Sequence, residues 1–381
     1  MAEFELDTLQ TRLAALGRAY TPLDVAGALR GMGVIVTDAV VHDVLGQLRR
    51  NSLGAGPLDD LLAEPGVSDV VVNGPHEVFV DRGAGLERAD VRFVDDEQVR
   101  RLAIRLAAAC GRRLDDASPF VDGRLPGGVR LHAVLAPVAA PGTCLSLRVP
   151  ARRSFSLDDL VAAGSLSDKG ACLLRAVIAQ RVPFLISGGT GTGKTTLLSA
   201  LLALVPAHER MVIVEDAREL IPDHPHTVRL ESRPANAEGA GAITLTTLVR
   251  QALRMRPDRV VLGEVRGAEL TDLLTALNTG HEGGCGTVHA NSVRDIPARL
   301  EALAALGGLS RDACHAQVAA ALRLVIHVRR EPSGARRVEQ VGLFRRGADG
   351  TVEIASAATF TADGIRFDGE AGAELSRLVT L

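Results

Sequence analysis

The sequence predicts an α/β protein: a nucleotide-binding domain built on a parallel sheet, preceded by a small α+β domain and an N-terminal helical segment. Three observations carry this. Gly188-Gly189-Thr190-Gly191-Thr192-Gly193-Lys194-Thr195 stands between an apolar run over 182–187 and another over 197–202, the strand, glycine-rich turn and helix of a phosphate-binding loop. Downstream, Met211-Val212-Ile213-Val214 stops at Glu215-Asp216, Arg259-Val260-Val261-Leu262-Gly263 at Glu264, and Cys285-Gly286-Thr287-Val288 at His289. Apolar runs that each end on a polar residue are the mark of a parallel sheet whose strand C-termini meet a ligand. Upstream, short β-rich stretches and one amphipathic stretch fill residues 53–150, the pattern of a separate α+β unit.

From the N-terminus, Leu6, Leu9, Leu13 and Leu16 recur at helical spacing, and Thr37-Asp38 precedes the apolar series Val40, Val41, Val44, Leu45 and Leu48. Residues 1–50 therefore read as a helical packing segment. Turn formers over 51–57 close it. Within the domain over 53–150 we expect a short helix (58–63), strands at 67–72 and 77–80 about an Asn73-Gly74-Pro75 turn, a helix at 97–110, and strands at 129–135 and 143–149. A linker at Pro150-Ala151-Arg152-Arg153 leads to Ser156-x-x-Asp159, a capping signature that opens the nucleotide domain at 154–330. The final segment, 331–381, reads as antiparallel strands around Arg336-Arg337-Val338-Glu339-Gln340-Val341 and Thr351-Val352-Glu353-Ile354, with a turn at Gly350.

A chain of 381 residues with 46% apolar and 23% charged residues can bury two or three cores. Its net charge of −3 offers no global attraction to nucleic acid or anionic lipid. The acidic start Met1-Ala2-Glu3-Phe4-Glu5 lacks the apolar core of a secretory leader, and no helical apolar run approaches the roughly 20 residues that span a bilayer. A soluble, cytoplasmic protein is expected. The five cysteines, Cys110, Cys144, Cys172, Cys285 and Cys314, contain no C-x-x-C pair; each is expected to be a small buried hydrophobe rather than a zinc ligand or half of a disulfide.

Lysine usage sharpens the loop assignment. Of 43 basic residues only Lys169 and Lys194 are lysines, so a chain that otherwise writes its cations as Arg keeps Lys where phosphates need a compact point charge. Gly188 and Gly193 hold the two fixed glycine places, where a side chain would block approach of backbone N–H groups to phosphate oxygens. Gly189, Thr190, Gly191, Thr192 and Thr196 complete the cradle. Lys194 would reach the β- and γ-phosphates of ATP and Thr195 would hold Mg²⁺.

The acids leave a choice open. Hydrolysis needs one carboxylate to orient or deprotonate water and another to hold Mg²⁺ or its water shell, and Glu215 and Glu264 can fill both posts. His289, at a strand end, is placed to sense a γ-phosphate; His281, within Gly280-His281-Glu282-Gly283-Gly284, sits on a turn with less claim to a role. Arg124, Arg130 and Arg148 fit a solvated strand face, or arginine fingers toward a neighbouring nucleotide.

Taken together, the phosphate loop, Val214-Glu215-Asp216, Leu253-Arg254-Met255-Arg256-Pro257-Asp258-Arg259, Leu262-Gly263-Glu264-Val265-Arg266-Gly267, and the stretch from Asn278-Thr279-Gly280-His281-Glu282-Gly283 through Thr287-Val288-His289-Ala290-Asn291-Ser292 resemble the type II/IV secretion ATPase superfamily. Within it, the chain looks most like the tight-adherence (Flp) pilus branch, the CpaF-like and TadA-like traffic ATPases. The resemblance spans roughly residues 53–330 and implies a PAS-like N-terminal domain followed by a RecA-like P-loop ATPase domain. It implies Glu264 as general base, Glu215 as the aspartate-box acid near Mg²⁺ and water, His289 as γ-phosphate sensor, and Arg124, Arg130 and Arg148 as the region supplying nucleotide-contacting arginines. It also implies a hexameric ring at the inner face of the cell membrane, working with an inner-membrane platform protein to move pilin or another substrate. The tetracysteine zinc module common in other branches has no counterpart here, which favours the Flp or conjugative branches.

Three other readings start from the same loop. A conjugative type IV secretion ATPase is the nearest. A RecA-fold nucleic-acid motor would want stacking platforms, and with 3% aromatic residues and no Trp few are present, so no nucleic-acid partner is expected. A nucleotide-switched scaffold without turnover would have no use for the intact set Lys194, Thr195, Glu215, Glu264 and His289.

Overall fold

The computed structural model describes residues 8–9, 12–13, 15–16, 20–150, 154–235, 239–361 and 364–380. Leu6 of the first leucine series and the linker residues Ala151, Arg152 and Arg153 lie outside them. The chain divides into two compact units between Pro150 and Ala151.

The first unit opens with two helices, α1 (Pro22–Arg30) and α2 (Asp38–Leu53). Thr21 caps α1 in a reciprocal box with Asp24. Leu9, Leu13, Val25, Leu29, Val44 and Leu48 form the small core that these segments share. A short helix, α3 (Asp59–Ala63), then leads into a six-stranded sheet in the order β3-β2-β1-β6-β5-β4. Its strands are β1 (Asp69–Asn73), β2 (Val78–Asp81), β3 (Leu86–Arg88), β4 (Phe120–Arg124), β5 (Arg130–Val134) and β6 (Cys144–Arg148), every neighbouring pair antiparallel. Helix α4 (Asp96–Ala109), capped by Asp95, lays Val99, Leu102, Ala103 and Leu106 on the buried face beside Val70, Val72, Leu131 and Leu147. Four of the strands fall within a residue or two of the expected positions. The other two, β3 and β4, carry weak strand patterns: Leu86-Glu87-Arg88 is exposed throughout, and Gly123 interrupts the alternation in Phe120–Arg124.

Ser156 opens the second unit with the expected capping box to Asp159, starting α5 (Leu157–Ala162), and α6 (Asp168–Ala179) follows. A nine-stranded sheet in the order β15-β14-β13-β12-β7-β11-β10-β8-β9 forms its middle layer. The strands are β7 (Phe184–Gly188), β8 (Met211–Glu215), β9 (Thr227–Glu231), β10 (Arg259–Val265), β11 (Cys285–His289), β12 (Leu324–Arg330), β13 (Arg336–Arg346), β14 (Val352–Thr361) and β15 (Gly364–Phe367). From β12 through β9 all pairs are parallel, and β13, β14 and β15 continue the sheet antiparallel. The remaining helices are α7 (Lys194–Leu202), α8 (Leu245–Ala252), α9 (Glu269–Asn278), α10 (Ile296–Leu306), α11 (Arg311–Ala321) and α12 (Gly369–Leu378). Phe184, Ile186, Ile213 and Ile326 pack with α6, α7 and α12 on one face, while Leu185, Val212, Val214 and Leu262 pack with α8 to α11 on the other. Strands buried on both faces explain the near-continuous apolar runs in the sequence.

The cysteines need a correction. Cys285 and Cys314 are buried, Cys110 and Cys144 are half-buried, and Cys172 is exposed on the outer side of α6. No helix among the described residues is long and apolar enough to cross a membrane.

Candidate active site

The phosphate loop leaves the fully buried strand β7 at Gly188 and enters α7 at Lys194. Gly188 is required by space: a Cβ there would come within 2.5 Å of the Val328 carbonyl oxygen. Gly193 is required by conformation, because it caps α7 at φ 91°, in the left-handed region. Thr192 Oγ1 donates to the Gly189 carbonyl at 2.9 Å and closes the turn internally. Lys194 Nζ donates to the carbonyls of Gly188 and Gly189 at 3.0 and 2.8 Å, across the loop. Burial pulls the Lys194 ammonium below its ordinary pKa, and the Glu264 carboxylate opposes that shift. Thr195 and Thr196 follow in the first turn of α7, where the helix N-terminus favours an anion.

Strand order then decides what gathers around the loop. In the parallel sheet β7 has β11 and β12 as neighbours, and His289 at the end of β11 stands in register with Gly188. β10 follows β11, and β8 follows β10. Glu264 and Glu215 therefore come to the same C-terminal sheet edge as the loop. The pairing of β10 with β11 shifts between Leu262 and Val265, an irregularity of the kind that re-aims side chains beside active sites.

Glu264 is held by Arg266, two residues on and just past the end of the strand. The Arg266 Nε and Nη2 groups donate to Glu264 Oε2 at 2.9 and 2.5 Å, and Arg266 Nη1 lies 3.7 Å from Asp216. Glu269 fixes the turn beyond them by accepting the backbone N–H groups of Arg266 and Gly267 at 2.6 and 2.7 Å.

Glu215 is 3% exposed. Its Oε1 accepts the backbone N–H groups of Glu219 and Leu220 at 2.9 and 2.8 Å. Its Oε2 is buried without a hydrogen bond, 3.8 Å from Arg229 Nη2. Burial raises the Glu215 pKa above the ordinary carboxylate value, against the Leu220 and Glu219 N–H groups and Arg229. An unsatisfied buried carboxylate oxygen beside a phosphate loop suits a divalent cation or its water shell.

The three arginines of the first unit share one row. Arg124 is opposite Arg130, Arg130 is opposite Arg148, and Arg148 is opposite Asp69. Arg148 Nε donates to Asp69 Oδ1 at 3.0 Å. The register thus sets three arginines side by side across β4, β5 and β6. His281, by contrast, sits after α9 with its Nδ1 3.2 Å from the Ala276 carbonyl. That turn leads into the start of β11, at the opposite edge of the sheet from the loop.

Four residues at the loop escape a pattern reading. Arg266 follows the end of β10, and its only signal in the sequence is its nearness to Glu264. Ser187, His327 and Arg336 are brought together only by the pairing of β12 with β7 and of β13 with β12. Ser187 Oγ lies 2.9 Å from His327 Nδ1, and Arg336 Nε donates to the Gly191 carbonyl at 2.9 Å.

Comparison with known proteins places this arrangement. Residues 51–359 match the family described as type II/IV secretion system protein. A Mycobacterium tuberculosis protein named for conjugal transfer is 55% identical over 312 residues, spanning 80% of this chain and 88% of the relative. The type IV secretion system protein PtlH of Bordetella pertussis is 34% identical over 254 residues, 61% of this chain and 75% of the relative. Among solved structures, the Legionella pneumophila ATPase DotB aligns with a TM-score of 0.52 at 17% identity over 87% of this chain and 85% of its own. The pilus retraction motor PilT with bound ADP gives 0.52 at 18% identity over 84% and 85%. At such identities these structures speak for the fold alone, an N-terminal domain followed by a RecA-like ATPase domain. The family match and the relative at 55% identity both take in the phosphate loop and the strand-end acids, and the chain belongs to the type II/IV secretion system protein family.

Proposed function

We propose that this chain is an ATP-hydrolysing motor of a secretion or transfer system, working as a hexameric ring at the inner face of the cell membrane with a membrane platform protein. The observation that carries the proposal is the convergence of Lys194, Glu264, Glu215 and His289 on one sheet edge. In this reading the loop N–H groups and Lys194 bind the β- and γ-phosphates of ATP, and Thr195 and Glu215 hold Mg²⁺ or its water shell, which screens phosphate charge. Glu264 orients a water molecule and takes its proton as the water attacks the γ-phosphorus. The bond to the bridging oxygen breaks, and ADP leaves with the electron pair. His289, beside Gly188, reports whether the γ-phosphate is present. Arg124, Arg130 and Arg148 supply cations to a bound nucleotide.

For the setting, the conjugal-transfer and type IV secretion names of the relatives favour macromolecule transfer. The Flp pilus branch is the second reading, supported by the motif set and by the lack of a tetracysteine module among five scattered cysteines.

Steady-state ATP hydrolysis by wild type and Glu264→Gln, with light scattering in ATP, tests the motor. Slow turnover by a ring is expected, with a loss of roughly 10²-fold in Glu264→Gln while ATP still binds. Wild type that binds no ATP, or an unchanged rate in Glu264→Gln, defeats it.

A further inference from the structure

The segment after residue 330 carries no nucleotide motif, yet it reaches the phosphate loop. β12 and β13 form a hairpin whose closing residues, Arg330 and Arg336, are register partners. Its turn is held by the Glu331 N–H donating to the Ala335 carbonyl at 2.8 Å and the Gly334 N–H donating to the Glu331 carbonyl at 2.9 Å. From that position Arg336 Nε donates to the Gly191 carbonyl at 2.9 Å. The Arg336 Cδ lies 3.4 Å from where a Gly193 Cβ would stand, and Arg330 Nη1 lies 3.7 Å from the equivalent point at Gly191. The hairpin thus packs against the middle of the glycine-rich loop. At its base it meets the same loop through His327 and Ser187, partners in register across β12 and β7.

The contact at Gly191 has a directional consequence. A trans peptide is planar and its C=O and N–H point in opposite directions. A guanidinium that draws the Gly191 carbonyl to the outer side of the loop therefore turns the Thr192 N–H toward the inner side, where the phosphates of a nucleotide sit. Gly191, at φ 70° and with no side chain, does not resist rotation of that peptide by itself. An external hydrogen bond is what selects one orientation, and a donor fixed before binding spares the ligand the ordering.

We propose that Arg336 is a positioning residue for nucleotide binding, acting through the Gly191 carbonyl to orient the phosphate-binding N–H groups of the loop. The inference rests on the loop being a nucleotide site, and it extends that site to a residue of the C-terminal hairpin. Arg337, the next residue, pairs with Glu331 and provides the matched control, since it removes the same charge one position away.

The test is equilibrium binding of fluorescent ADP to the full chain, with thermal unfolding of the nucleotide-free protein in parallel, for wild type, Arg336→Gln, Arg336→Lys and Arg337→Gln. Arg336→Gln is expected to weaken ADP roughly 5- to 10-fold, the scale of one typical net hydrogen bond, with the nucleotide-free midpoint within about 2 °C of wild type. Arg336→Lys, which keeps a donor without the planar fork, should recover part of the affinity, and Arg337→Gln should bind as wild type. In turnover the loss should fall on KM, with kcat changed less than about twofold. Equal weakening in Arg336→Gln and Arg337→Gln would assign the effect to net charge and overturn the proposal, as would wild-type affinity in Arg336→Gln. If Arg336→Gln loses stability, Arg336→Lys alone decides, an affinity no better than the Gln variant counting against it. Wild type that binds no ADP defeats the nucleotide-site reading itself, a distinct outcome.

Discussion

Glu215 rests on Gly263: a Cβ at 263 would stand 2.7 Å from the Glu215 Cγ. Gly263 lies inside β10, two residues from its end, and its missing side chain leaves room for the Glu215 carboxylate arm reaching over from β8. The Thr287 hydroxyl donates to the Gly263 carbonyl at 2.7 Å and holds that backbone to β11. Gly263→Ala should therefore force the Glu215 side chain from its N–H partners. We expect a destabilisation of about 1–3 kcal/mol, the range for overpacking, and a fall in ATPase activity with nucleotide affinity retained. Denaturant unfolding and ADP binding on one preparation check both parts, and a fully active, fully stable variant would show that Glu215 has room to move.

Glu215→Gln should separate stability from function. A carboxyl whose folded pKa is raised favours folding while protonated, and that contribution is lost as pH rises through the folded value; at neutral pH the ionised group opposes folding. Gln keeps an acceptor for the Glu219 and Leu220 N–H groups and removes the charge. Relief of about 1 kcal/mol, typical of one unsatisfied buried group, corresponds to a midpoint some 2–4 °C higher in a unit of this size. Thermal melts at pH 7.5 with ATPase assays measure it: higher stability with lower turnover is expected, and a lower melting point would mean that the Arg229 pairing dominates.

The contrast between these two acids shows how far the sequence could be read. The apolar runs ending at Glu215, Glu264 and His289 revealed both strands and polarity, because buried parallel strands need no alternation and advertise themselves. Parallel pairing then brings their ends together without further information. The arginine row of the first unit was legible only as three separate residues, since opposition of Arg124, Arg130 and Arg148 depends on register across β4, β5 and β6. Arg336 and His327 were invisible for a stronger reason. They join the loop through pairing of β12 with β7, strands more than a hundred positions apart, and no local pattern encodes which strand flanks β7 on that side.

Arg130 stands in the middle of that row, with a cation opposite it on each side. Arg130→Ala relieves like-charge contacts and loses the partner Arg130 has, two small opposing effects, so thermal stability should stay within about 0.5 kcal/mol of wild type. If the row serves a nucleotide, ring-associated ATPase activity should nevertheless fall roughly 10-fold or more. Arg148→Ala, which also removes the Asp69 pair, costs at most about 1 kcal/mol, as expected for an exposed ion pair. Full ATPase activity in both variants would reduce the row to a solvated strand face.

His327 gives the protein a pH dependence whose sign can be worked out. Its side chain is buried, with Nδ1 at 2.9 Å from Ser187 Oγ and Nε2 at 3.7 Å from Glu339 Oε2. Burial lowers its pKa; Glu339 opposes the shift, while the Arg329 and Lys194 cations add to it, and a bond with the Asn291 backbone also opposes it. A histidine whose folded pKa is depressed takes up its proton in the unfolded chain first. Above the unfolded value neither state carries it; as pH falls below that value the unfolded state binds the proton and stability drops, levelling off below the folded value. Wild-type unfolding midpoints should accordingly decline between pH 7.5 and pH 5.5. In His327→Gln, which can still meet the Ser187 hydroxyl, this decline should shrink by about 2–4 °C, the effect of roughly 1 kcal/mol in a unit of this size. Glu339→Gln removes an acid that opposes the depression of the His327 pKa and should steepen the decline in stability. An unaltered pH profile in His327→Gln would locate the titration elsewhere.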